Sequence, residues 1–351
     1  MNAELQEMLV ALGARIHPES GCVSDFGDPE AELRAIASGT AVADLSQFAL
    51  LAIRGADATA FLHAQFSCDV AGLPAGRATY GSYCTAKGRM LATFLLWQAS
   101  DGWRMMIHGT LAGAIQKRLK MFVLRSKVSI DDLSSTTSLV GIAGASAAAS
   151  IAGLGVRLPQ DALAVHCTDA DTDPPIECSS TVAIPGQRWI VGLPLEQART
   201  LWPALASLIK PAGTAAWDWS DIANGIPQLT PATQEQFVPQ MANLEVIGGV
   251  SFKKGCYPGQ EIVARTQYLG KTKRRMYRAH CSTSAAPGDP VYSDDVAGQA
   301  NGMVVSSAAA PDGGFDMLVV VQIESATQSK VHVGAADGPV LEFASLPYSL
   351  P

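Results

Sequence analysis

Residues 253–278 read KKGCYPGQEIVARTQYLGKTKRRMYR, and the chain changes character on either side of them. Before them, helical and strand-like patterns mix. After about residue 272 helical periodicity disappears, and short apolar runs (GDPVY, GMVVSS, FDMLVVVQIE, KVHV, PVLEFA) alternate with turn residues, which predicts a small all-β barrel or sandwich. The stretch itself holds eight of the 25 Lys and Arg residues (253, 254, 265, 271, 273, 274, 275, 278) and one acid, Glu261. A solvated face mixes charge signs, so an island of one sign in a chain of net charge −7 suggests an anion receiver: a carboxylate, a phosphate or an RNA backbone. Gly255, Pro258 and Gly259 surround Cys256. Glycine permits close backbone approach, and Gly259 is placed to start a helix through Gln260 and Glu261. A thiol just ahead of a helix N-terminus, with Lys253 and Lys254 beside it in sequence, is favoured as thiolate. Burial of Cys256 beside Tyr257 as plain packing is an equal reading of these residues alone.

Upstream, residues 48–55 read as a strand and 56–68 open as a helix. Residues 90–97 and 103–107 read as strands of a hairpin, 111–121 as a helix and 127–130 as a strand. Further on come a strand at 139–144, an Ala-rich helix at 145–154, a hairpin turning at Pro185-Gly186, and helices at 195–209 and 217–225. Elements mixed without regular βαβ alternation predict an α+β fold. The 351 residues suggest two or three domains. Their expected limits are 1–137, 138–271 and 272–351.

Composition narrows the function. No apolar run approaches the roughly 18–20 residues of a membrane span, and the start lacks a secretory signal pattern. We therefore expect a cytoplasmic protein with no membrane partner. The seven cysteines (22, 68, 84, 167, 178, 256, 281) form no CxxC, and the six histidines are dispersed, so no metal site is assigned.

The run Lys254–Glu261, KGCYPGQE, resembles the signature of the YgfZ family. The resemblance continues through FVPQMANLEVIGGVSFKKGCYPGQEIVAR, DLSQFALLAIRGADATAFLHAQFSCDV, AKGRM and the terminal LPYSL, and so takes in most of the chain. It implies the three-domain ring of the glycine-cleavage T-protein, an aminomethyltransferase, with tetrahydrofolate or a derivative, polyglutamylated forms included, in a central channel. It further implies support of iron–sulfur enzymes or cluster carriers, with an indirect link to tRNA modification. The implied key thiol is Cys256, supported by Lys254, Tyr257, Gln260 and Glu261; the implied folate contacts are Phe48, Trp217 and Arg265. Aminomethyltransferases of this fold carry a carboxylate pair where this chain has Ala92 and Thr93, and relatives often carry glutamate where it has Ala223. Whether the protein is an enzyme is left open by those departures. A folate-dependent one-carbon transferase is the alternative, and a tRNA-binding module using the basic island is the second.

Overall fold

A computed structural model describes residues 3–167, 180–268, 270, 272–296 and 298–351. By its contacts the chain divides into two compact units: Met1–Ala58, Leu73–Thr79 and Leu95–Trp217 in the first, Thr59–Gly72, Tyr80–Phe94 and Asp218–Pro351 in the second.

The first unit contains a six-stranded sheet in the order Val165–His166, Ser180–Ile184, Arg188–Pro194, Thr137–Ala143, Ala41–Asp44, Lys210–Ala212. Only the last pairing is parallel. Successive side chains of a strand point to opposite faces. Val140 and Ile142 therefore join one core, with Leu201, Trp202 and Leu205 of helix Leu195–Leu208 and Leu5 and Leu9 of helix Ala3–Ala11. Gly141 faces the other way, where the Trp217 ring lies against it; a Cβ there would come within 2.7 Å of Cε3. In the same unit Phe48–Arg54 runs between Gly102–His108 and Ser129–Asp132. Helix Gly109–Val123 buries Leu111, Ala112, Ile115 and Leu119.

Where an all-β barrel or sandwich is expected, the second unit ends in an all-antiparallel sheet, ordered Val331–Val333, Pro290–Ser293, Gly302–Ala309, Phe315–Gln322, Arg274–Cys281, Glu342–Ala344. Met317, Val319 and Val321 alternate into its core with Val291, Val304, Ala279 and Cys281.

Three local expectations differ from the structure. Within the end expected to be all strand, the run FDMLVVVQIE stops as a strand at Gln322 and continues as a helix, Ile323–Gln328. The Ala-rich helix expected over 145–154 is a single turn, Ala147–Ser150, because Gly153 and Gly155 take φ of +94° and +76°. The strand Arg274–Cys281 was hidden by its charges. Two of its arginines have internal acid partners: Arg275 pairs with Glu245, and Arg278 with Asp316. No helix among the described residues is long and apolar enough to cross a membrane. Cys178 and Lys271 lie outside the described residues.

Candidate functional site

All the chemistry-bearing residues of KGCYPGQE lie in the second unit. Helix Gln260–Tyr268 starts directly after Gly259, whose φ is +82°. Gly88, in the AKGRM turn, has φ +71°. The two glycines meet backbone to backbone: a Cβ on Gly259 would sit 2.6 Å from both the nitrogen and the Cα of Gly88. Two motifs about 170 residues apart thus interlock through a contact that a side chain on Gly259 would block. The first turn of the helix is anchored from below, where Gln240 Nε2 donates to the carbonyl of Val263 at 2.7 Å, both residues being fully buried.

Lys254 is buried, and its ammonium donates to the carbonyl oxygens of His63, Phe66 (2.5 Å) and Cys68 (3.2 Å). These carbonyls belong to or follow the last turn of helix Ala58–Gln65. A helix leaves its final carbonyls without internal partners, and the negative end of its dipole favours a cation. Lys254 satisfies that end and lies 5.0 Å from the centroid of the Tyr257 ring. Burial lowers its pKa. Its three donor bonds are directed at the helix end, so the expectation that this ammonium serves the Cys256 thiol gives way to a structural role. Gln260 Nε2 donates to the Lys254 carbonyl at 3.4 Å, and Tyr257 is buried with its hydroxyl pKa raised by desolvation. Glu261 is exposed.

Cys256 is exposed, and among the described cysteines it alone is. Cys68 and Cys84, buried beneath the same loop, are pushed up to about 12 by desolvation and are inert as nucleophiles at neutral pH. The sequence offered no histidine near Cys256, but the fold brings one to this loop. A Cβ on the adjacent Gly255 would lie 3.9 Å from His63 Nε2. His63 Nδ1 accepts the Ala71 backbone N–H at 3.2 Å and lies 3.3 Å from the Asp69 carboxylate, which leaves Nε2 as the ring atom on the side of the loop. Burial, then the Lys254 charge, lowers the His63 pKa. Sequence offered no signal for this approach between residues so far apart.

The basic island divides. Lys254, Arg275 and Arg278 are engaged inside the second unit, whereas Lys253, Arg265 and Lys273 are exposed and Arg274 is half-buried. The reading of eight cations facing one anion is corrected accordingly.

Phe48 and Trp217 belong to the first unit. Phe48 is 5% exposed, edge-on to His108 at 6.2 Å. Trp217 is 1% exposed, with Gly141 against its ring and the Arg188 guanidinium 5.2 Å from its centroid. Its neighbour Trp219 donates from Nε1 to Asp316 at 2.9 Å. Ala92 is fully buried. Thr93 donates its hydroxyl to the Pro227 carbonyl at 3.0 Å and accepts the Leu229 N–H at 3.2 Å. The terminal LPYSL has a packing role: Tyr348 donates its hydroxyl to the carbonyl of Gly225, where φ is +65°.

The GCVT N-terminal domain family matches residues 8–173. The chain is 30% identical over 314 residues to the tRNA-modifying protein YgfZ of Vibrio vulnificus, spanning 88% of this chain and 93% of that protein. It is 30% identical over 320 residues to the protein of the same name from Photobacterium profundum, spanning 88% and 92%. Among solved structures it is similar to glycine cleavage system aminomethyltransferase T from Bartonella henselae, with TM-score 0.79 over 99% of this chain and 97% of that one. At 18% identity that likeness shows the fold alone.

Proposed function

The chain belongs to the YgfZ family, and from that membership we propose that it is a folate-binding accessory protein that supports iron–sulfur enzymes and, through them, tRNA modification. Cys256 is its working thiol. The observation that carries this reading is the setting of that residue: an exposed thiol on a loop fixed by the buried Lys254 and by the Gly88–Gly259 contact. A rigid loop presenting one accessible sulfur suits chemistry done on or with a partner protein. The names of the relatives, tRNA-modifying proteins, support the downstream link.

The one-carbon transferase reading loses support at Thr93. A transferase needs a carboxylate to handle the substrate amine and its proton. Here the hydroxyl at that position is committed to two backbone groups, and its neighbour is a buried alanine. The tRNA-binding reading loses support because three of the island's cations are engaged internally.

Folate is the implied ligand, and its fit to the expected residues is uneven. Arg265 is exposed and offers a guanidinium to a glutamyl carboxylate. Phe48 and Trp217 are packed to 5% and 1% exposure and leave no open ring face for a pterin to stack on.

Expression of Cys256→Ala in a strain lacking its own copy tests the thiol. We expect iron–sulfur enzyme activity and tRNA modification to stay at the level of the deletion, with the variant folded. Full restoration by Cys256→Ala would remove the thiol from the proposal.

A further inference from the structure

Helix Gly109–Val123 turns Leu111, Ala112, Ile115 and Leu119 inward. Its last turn does the opposite. Met121 and Phe122 are 59% and 45% exposed, and Leu124 just beyond is 86% exposed. Three large apolar side chains within four residues stand in water. Leu124 also holds φ at +45°, where side chains are disfavoured. Around this tip are Lys117, Arg118, Lys120, Arg125 and Lys127, five cations with no acid from 117 to 127, in a chain of net charge −7. Lys117, Lys120, Arg125 and Lys127 are exposed and make no ion pair among the described residues. The acids next to them are occupied: Asp57 accepts the Lys127 backbone N–H at 2.7 Å, and Asp131 pairs with Arg54 at 3.4 Å.

We propose that this tip, Lys117–Lys127, docks on an anionic lipid surface, with Met121, Phe122 and Leu124 entering the acyl boundary and the cations remaining among the headgroups. Exposed apolar clusters mark interaction sites, and charge chooses among partners. A second copy meeting through the same patch would set five cations against five. A nucleic-acid backbone would engage the cations but leave Leu124 and Met121 in water. Protein interfaces are depleted in lysine, yet lysines supply three of the five cations here. Anionic headgroups attract such lysines, whose stems lie along apolar surface while the ammonium stays at the interface. A bilayer presents anion and then hydrocarbon in the depth order that this tip requires.

Flotation of the full chain with vesicles tests this. One set is equal parts phosphatidylglycerol and phosphatidylcholine, the other phosphatidylcholine alone. We expect flotation with the anionic set at low salt, loss of it at high salt, and none with the neutral set. Leu124→Gly and Phe122→Ser are each expected to weaken the partition by about tenfold, the loss of one inserted apolar side chain. Leu124→Gly is the decisive variant because glycine suits the positive φ, so binding falls without a fall in melting temperature. Failure to float with anionic vesicles at low salt, or undiminished flotation of both variants, overturns the proposal. Cross-linking from position 124 to a protein, without flotation, would assign the tip to a protein partner and overturn it equally.

Discussion

Replacing Lys254 with methionine keeps most of its length and removes the cation at the end of helix Ala58–Gln65. Three carbonyls (His63, Phe66, Cys68) then lose their donor. Removing one partner from a buried charged hydrogen-bond set costs about 2–4 kcal/mol, so denaturant unfolding should show a large loss of stability for Lys254→Met. Gly259→Ala is expected to be as severe: a positive φ costs an ordinary residue about 1–2 kcal/mol, and overpacking against Gly88 adds about 1–3 kcal/mol. Cys256→Ser, at an exposed position, should change stability by less than about 0.5 kcal/mol. If all three variants unfolded at the wild-type denaturant concentration, the rigid-loop description would fail. The sequence made the cysteine and Gly259 legible, because a special backbone position leaves glycine as its mark. It misassigned Lys254, since a charge near a thiol in sequence reads as its partner. Only the fold shows that the ammonium reaches back across 186 to 191 positions to a helix end.

Single strands carry two buried carboxylates with opposite effects on stability. Asp44, at the end of strand Ala41–Asp44, is raised to about 6 by burial, although it accepts the Ser46 N–H at 3.1 Å. A carboxyl whose folded pKa exceeds its unfolded value stabilises the fold when protonated; that contribution is full below about 4 and lost as pH rises through about 6. Asp316, on strand Phe315–Gln322, is desolvated too, but bonds from Arg278, His280 and Trp219 outweigh burial and lower its pKa. Its contribution is present above the unfolded carboxylate value and is lost as pH falls through the folded one. Urea unfolding across pH should therefore show Asp44→Asn flattening the profile between about 4 and 6, while Asp316→Asn flattens it below about 4. The same change in both variants would refute the assignment. The strand facing Asp316 shows why sequence fell short here. RRMYRAHC carries too many charges to read as a half-buried strand until Glu245 and Asp316, distant in sequence, are found opposite its arginines.

Across the whole molecule, hydrophobic periodicity carried the α+β class and the all-β end, because alternation and helical spacing survive in segments such as FDMLVVVQ. Periodicity carried little about ligand binding, since a ring that stacks on a ligand and a ring that fills a core look alike in sequence. Trp217 shows the difficulty: it is 1% exposed, under Arg188 and against Gly141. Folate binding and thiol chemistry are therefore best separated by one pair of measurements. Tetrahydrofolate at about a hundredfold excess over its dissociation constant should stabilise the protein by about 2.7 kcal/mol, read as a rise in melting temperature. Arg265→Ala should shrink that rise by removing a carboxylate contact, while Cys256→Ala should retain it and still fail to restore iron–sulfur enzyme activity. The same preparation, given aminomethylated carrier protein, should form no methylene-tetrahydrofolate, because Ala92 and the committed hydroxyl of Thr93 supply no carboxylate. No thermal shift in any folate state would sink the cofactor and leave the thiol standing. A shift together with methylene-tetrahydrofolate would make the protein a transferase despite Thr93.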